Sequence, residues 1–250
     1  MNFEALNDMA LKKYEMCEND TRRFFIRSIL AGLYLGLATY LSYTLASLLT
    51  PMNPVVAKMA LAASFGIGII LIAILGAELF TGNCFVSVIP VYHGDLKLHQ
   101  VFKMWAVCYL GNFVGIAFIC SLFVFGGSYH EALVSYVQPY IEHKLDFDPV
   151  QLLIKATLCN FTVCCASFTS YKIKDDTAKV IIMLIVVMAF VLPGFEHSIA
   201  NMGSFTLGFA LNTPIDIATM LIHFSIATLG NILGGAVLLG LPVYHIMKPE

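Results

Sequence analysis

Residues 24–49, 58–80, 104–126, 149–170, 178–210 and 215–240 are apolar runs with very little charge. Crossing about 30 Å of hydrocarbon as a helix takes about 20 such residues. No water reaches that depth, so the backbone must satisfy its own hydrogen bonds, which a helix does within one segment. An all-α membrane protein with six transmembrane helices is therefore predicted. Composition agrees: 59% of the 250 residues are hydrophobic and 12% charged, against about a quarter charged in soluble domains. Two runs are irregular. The fifth is too long for one straight crossing and contains "PGFEHSIANM" (193–202). The second runs into "GAELFTGN" (76–83), followed by the short apolar piece "CFVSVIPVY" (84–92).

Lysine and arginine placement sets the orientation. With the N-terminus inside, the cytoplasmic side holds Lys12, Lys13, Arg22, Arg23, Arg27, Lys97, Lys103, Lys172, Lys174, Lys179 and Lys248. Lys58 and Lys144 are left outside, with Lys155 in the opening turns of span four. Both termini are thus predicted to be cytoplasmic, in a multi-pass protein of the cell (plasma or inner) membrane. Residues 1–23 are expected to form a cytoplasmic amphipathic helix. Phe3, Leu6, Met9 and Ala10 give it one apolar face, suited to the inner membrane surface, although a solvated leader helix fits as well. Residues 24–240 form the six-span domain and 241–250 a cytoplasmic tail, while "NDT" (19–21) offers N-caps for span one. The opening twenty residues are polar and acidic, unlike a cleavable signal peptide. A net charge of −2 and the lack of a basic run argue against nucleic acid. The seven cysteines are odd in number and show no CxxC spacing, so they read as reduced, small apolar residues.

The two interruptions resemble each other. "GAELFTGN" and "GFEHSIAN" share G-x-E-x-x-x-x-N, pairing Gly76 with Gly194, Glu78 with Glu196 and Asn83 with Asn201. In the following spans, "LGNFVGIA" (110–117) and "LGNILGGA" (229–236) share L-G-N-x-x-G-x-A at nearly the same offset. A repeat of three spans has an odd number of crossings, so its second copy (149–240) must enter from the side opposite to the first (24–126). Inverted repeats of this kind put broken helices face to face near the midplane. Irregular backbone is tolerated there only when it is buried in protein or lines a cavity.

"GAELFTGN", "LCNFTVCCA" (158–166) and "GFEHSIANM" resemble the signatures of the formate–nitrite transporter family, over essentially the whole chain. The middle motif departs from the usual pattern at Phe161-Thr162 and Cys164-Cys165, as does Pro193 before the third. The resemblance implies an aquaporin-like fold, a homopentamer with one pore per protomer, and passage of small monovalent anions of weak acids. Formate or nitrite leads by family size, ahead of hydrosulfide or short-chain carboxylates. It also implies a central histidine at His197, a loop threonine at Thr81, a vestibule lysine at Lys144 in the loop before span four, and a span-four asparagine at Asn160. Constrictions fall on Leu79, Phe80 and Val163 toward the cytoplasm and on Phe65 and Phe190 toward the outside, with Ile69 a further candidate for the outer set.

Each position has a physical rationale and a plainer alternative. Lys144 would concentrate anions at a vestibule, or be a surface lysine among Glu142, Asp146 and Asp148. An ionisable group inside a span usually marks a pathway, so His197 is the sharpest candidate, against a structural histidine bonded to Asn or Glu. In water a carboxylic acid titrates near 3.9 and histidine near 6.5, so protonating the anion from imidazolium is uphill by about 3.5 kcal/mol. Burial raises the first value and lowers the second, by enough to reverse the order in a tight apolar slit. Either the anion takes a proton at or through His197, or a neutral His197 donates a hydrogen bond to it. Thr81 adds a hydroxyl. Glu78, Glu196, Asn83 and Asn201 are expected to support the loops, the glutamates by accepting backbone N–H groups. Asn160 either orients Thr81 or His197 or lines the pore, and Asn112 and Asn231 suit helix packing. Lys155 either snorkels or adds to the outer vestibule. Phe65, Phe80 and Phe190 fit ordinary packing or a dewetting gate.

Two other classes remain: a membrane acid–base enzyme using His197 and Glu196, and an assembly subunit. No metal-ligand spacing, activated serine or activated cysteine favours an enzyme, and no cofactor is called for. The partners expected are the anion, protons, the lipid bilayer and further copies of the chain.

Overall fold

The computed structural model describes residues 1–127 and 130–249, which contain helices and no strand. In chain order these are α1 (Phe3–Asn19), α2 (Thr21–Leu49), α3 (Pro54–Leu75), α4 (Phe80–Val86), α5 (Ile89–His93) and α6 (Leu98–Phe125). There follow α7 (His130–Leu145), α8 (Pro149–Lys172), α9 (Asp176–Val191), α10 (Ser198–Ala210) and α11 (Ile217–Ile232). A π-helical stretch, Leu233–Gly240, continues directly into α12 (Leu241–Met247). Among the described residues, α2, α3, α6, α8 and the continuous Ile217–Met247 helix are long and apolar enough to cross a membrane. The fifth span is broken where the sequence interrupts it, into two shorter helices, α9 and α10, separated at residues 192–197.

Local chemistry explains where helices start and stop. Asp20 caps α2, its side chain accepting from Arg23 N–H at 3.0 Å, and Asn53, Asp148, Asp175 and Asp216 cap α3, α8, α9 and α11 in the same way. The helix α3 ends at Gly76, whose φ of +70° is left-handed and costs glycine nothing. Gly194 repeats this at φ +78°, after Pro193, which has no N–H to continue a helix. Leu79 and His197 are then extended, and helix resumes at Phe80 and Ser198.

Two asparagines brace these breaks. Asn112 accepts from Phe80 N–H at 2.9 Å and donates to the carbonyls of Ser28 and Glu78. Asn231 accepts from Ser198 N–H at 2.8 Å and donates to the carbonyls of Ala156 and Glu196. Beyond the helix packing expected of them, each pins an irregular turn to two helices. Close contact makes this reach possible. A Cβ on Gly115 would lie 2.0 Å from Ile29 O, and one on Gly234 2.1 Å from Thr157 O. The α2–α6 pair, and α8 with the π-helical stretch, therefore meet backbone to backbone.

Three expectations need correction. The apolar face of α1 is covered by protein: Phe3, Leu6 and Ala10 pack on Phe85, Val86, Ile89 and Val243 of the same chain. The segment before span four is not a plain loop, because it carries the helix α7. The tail predicted from residue 241 remains helical to Met247 and buries Val243.

Candidate functional site

The two breaks meet. Thr81 Oγ1 lies 3.0 Å from His197 Nε2, and both side chains are essentially inaccessible. His197 is the N-cap of α10, its Nδ1 accepting from Ala200 N–H at 3.1 Å. A neutral imidazole carries one proton. The bonding network therefore puts it on Nε2, which donates to Thr81 and leaves the threonine hydroxyl proton free to turn elsewhere. Asn160 holds the threonine's backbone, donating to Thr81 O at 3.1 Å and to Asn231 O at 2.6 Å. The Cys164 thiol donates to the same Thr81 carbonyl at 3.3 Å. One of the unusual cysteines thus has a place in the site. Phe190 stacks on His197 with ring centroids 6.2 Å apart.

Each break borders a cavity. One, of about 370 Å³, is bordered by Lys144, His197, Phe65, Phe190, Tyr140 and Glu196. The other, of about 580 Å³, is bordered by Lys13, Arg27, Glu78, Leu79, Asn83 and Tyr171. Each holds the same triad. Lys144 Nζ donates to Glu196 Oε2 at 2.6 Å and Asn201 Oδ1 at 3.0 Å. Lys13 Nζ donates to Glu78 Oε2 at 2.6 Å and Asn83 Oδ1 at 3.1 Å. In both, the asparagine amide donates back to the carboxylate. The glutamates therefore accept from lysine and asparagine side chains rather than from backbone N–H groups, as was expected of them.

Burial disfavours each ammonium, but the adjoining carboxylate outweighs it and leaves both lysines above the usual lysine pKa of 10.5. Both remain cationic at physiological pH. Lys144 also sits 5.4 Å from the Tyr140 ring centroid, a cation–π contact at the mouth of its cavity.

The predicted constriction residues divide unevenly. Phe65 and Phe190 border the Lys144 cavity and Leu79 the Lys13 cavity. Val163 is buried in the core beside them. The Phe80 ring packs edge-on against Trp105 and Tyr109 and lines a lateral groove. Ile69, a candidate for the Phe65 set, borders the Lys13 cavity instead. Lys155 lines a third cavity, together with Lys144, Glu196 and His223.

Sequence reading missed Lys13, Arg27 and His223. Lys13 lies 65 residues before its glutamate and Lys144 52 before its own, so no common offset relates the triads. The G-x-E motif carried the only signal. A repeated buried carboxylate requires a cation near each copy.

A family model described as Formate/nitrite transporter matches residues 1–245. The chain is similar to the nitrite transporter NirC of Escherichia coli (strain K12), 34% identical over 91% of this chain and 84% of that protein. A solved structure described as an FNT family ion channel has a TM-score of 0.91, at 30% identity, covering 99% of this chain and 98% of that one. Another, described as a pentameric formate channel with formate bound, gives a TM-score of 0.77 at 25% identity, covering 92% and 98%.

Proposed function

Since the chain belongs to the formate/nitrite transporter family and is a multi-pass membrane anion channel, not an enzyme, we propose that its path joins the two lysine cavities across the Thr81–His197 contact. The observation that carries this reading is that the two breaks touch at Thr81 and His197 while each borders a cavity bearing a lysine. Two inverted three-helix repeats of six crossings, aquaporin-like, fit the paired bracing by Asn112 and Asn231 and the paired Lys–Glu–Asn triads. Lysine and arginine placement puts the Lys13 cavity and both termini on the cytoplasmic side of the cell membrane, and the Lys144 cavity outside. The pentameric neighbour supports an assembly of five protomers with a path in each.

The substrate we propose is formate or nitrite, in keeping with the names of the similar proteins. The anion is drawn into the Lys144 cavity by charge. Phe65 and Phe190 form the outer apolar slit and Leu79 and Val163 the inner one, with Phe80 supporting from behind through Trp105. Such slits exclude hydrated ions. Desolvation there raises the pKa of the weak acid, so it takes a proton from the water of one cavity, passes beside Thr81 and His197 as the neutral acid, and returns the proton to water in the other cavity. Of the two roles open for His197, the neutral donor is favoured. An imidazolium would need a proton on Nδ1, which already accepts the Ala200 cap.

Uptake of formate, nitrite, hydrosulfide, acetate and chloride into proteoliposomes tests the reading. Formate and nitrite should enter and chloride should not; absence of protein-dependent uptake would sink it. His197→Asn keeps a donor without titrating near neutrality, so its ratio of flux at pH 5 to flux at pH 8 should match wild type. Loss of that ratio would instead favour a charged imidazole.

A further inference from the structure

We infer that the Lys144 cavity is a binding site for aryl monocarboxylates. The phenyl body seats against tyrosine rings, stops short of the Thr81–His197 contact and closes the path to smaller anions. This deepens the transport reading and rests on the Lys144 cavity being the outer mouth of that path. The space is far larger than formate or nitrite needs. Its volume of about 370 Å³ falls in the range of pockets that hold small organic ligands. Like them, it is walled by apolar and aromatic side chains with a few polar groups among them.

Three tyrosines from two helices form a cluster that borders this space. Tyr43 of α2 meets Tyr136 and Tyr140 of α7 edge-on, with centroids 5.6 and 5.1 Å away, and those two stack at 6.0 Å. The Tyr43 hydroxyl is tied to that of Ser204 on α10 at 2.6 Å, so the cluster is held without a ligand. Rings fixed in this way offer a preformed apolar face to another ring. Phe65 and Phe190 border the same space. Phe190 is stacked on His197, and Thr81 and His197 are themselves buried. A phenyl group would need a far wider opening there than formate does.

Charge selects the class of ligand. The Asp, Glu, Lys and Arg side chains bordering the cavity are Lys58, Lys144 and Glu196, which leave one net positive charge. Lys144 is buried and carries three N–H donors. Glu196 and Asn201 take two of them, leaving the third for Tyr140, whose ring centroid is 5.4 Å away, or for an arriving carboxylate. His223 Nε2 stands 3.6 Å from Glu196 Oε2 but borders the neighbouring cavity instead. The Lys13 cavity has the charge without the rings. Arg27 Nη2 lies 3.8 Å from Glu78 Oε1 there, and among the described residues Tyr171 is the only aromatic side chain on its border. The site therefore belongs to one mouth only.

The test is calorimetric titration of the detergent-purified protein with phenylacetate, phenylacetamide and acetate. Phenylacetate should bind with a Kd of about a millimolar. Phenylacetamide, which lacks the charge, and acetate, which lacks the ring, should each bind about tenfold more weakly. Tyr140→Leu should weaken phenylacetate about fivefold, and Tyr136→Leu, at a half-buried position, gives the same reading if the first variant does not fold. Lys144→Gln combined with Glu196→Gln should remove most of the preference for phenylacetate over phenylacetamide. In vesicles, phenylacetate should inhibit formate uptake from the Lys144 side and not from the Lys13 side. The inference is overturned if phenylacetamide or acetate binds as tightly, if neither tyrosine variant weakens phenylacetate, or if uptake from the Lys144 side is unaffected by it. Binding of phenylacetate without any protein-dependent formate uptake would support the site and count against the transport path.

Discussion

At the scale of single residues, each Lys–Glu–Asn triad holds a carboxylate against an ammonium. A buried ion pair adds little over apolar packing, but removing one partner strands the other and costs about 3–5 kcal/mol. Lys144→Met should therefore destabilise the protein by about that much, and adding Glu196→Gln should recover part of the loss. A double-mutant cycle of thermal unfolding in detergent measures this, and additive effects would contradict the pairing. The sign with pH follows from a folded pKa above the usual 10.5. The lysine's contribution is fully present below that value and is lost as pH rises through the folded pKa. The stability gap between wild type and Lys144→Met should hence be flat from pH 6 to 9 and close only above about pH 10.5. Lys144 and Lys13 accordingly cannot supply a change in transport between pH 5 and 8.

At the scale of elements, the packing of α2 on α6 and of α8 on the π-helical stretch is set by glycines at contact. A methyl group on Gly115 or Gly234 would overlap a backbone carbonyl, which cannot rotate out of the way. Overpacking of this kind costs about 1–3 kcal/mol or more. Gly115→Ala and Gly234→Ala should each lower the thermal midpoint and pull Asn112 or Asn231 from its break, reducing anion flux as well. Gly126→Ala makes a suitable control. Its nearest new contacts are at 3.4 Å and its φ is an ordinary −68°, so a change within about 0.5 kcal/mol is expected.

At the scale of the whole molecule, the chain gives each of its two touching breaks a cation-bearing cavity. That arrangement predicts sidedness. Lys13→Gln should weaken anion capture mainly from the side that bears the N-terminal helix, and Lys144→Gln mainly from the other. Half-saturation measured separately in right-side-out and inverted vesicles checks this; equal effects from both sides would show that the cavities do not act as separate mouths. The packing of α1 on α5 and α12 closes part of the Lys13 cavity, so the N-terminal segment belongs to the channel body rather than to a detached leader.

The sequence by itself determined the membrane-spanning class, the two helix breaks and the repeated Gly–Glu–Asn and Gly–Asn patterns. These depend on apolar run length and on residues whose backbone preferences are local. It also marked Thr81, His197, Lys144 and Asn160 as residues to examine. Only the tertiary structure decided which cation serves which carboxylate. Lys13, Arg27 and His223 reach their glutamates from separate helices, across unequal stretches of chain that leave no periodic trace. The protonated nitrogen of His197 was likewise hidden, because it follows from a capping bond and a threonine contact that exist only once the two broken helices have come together.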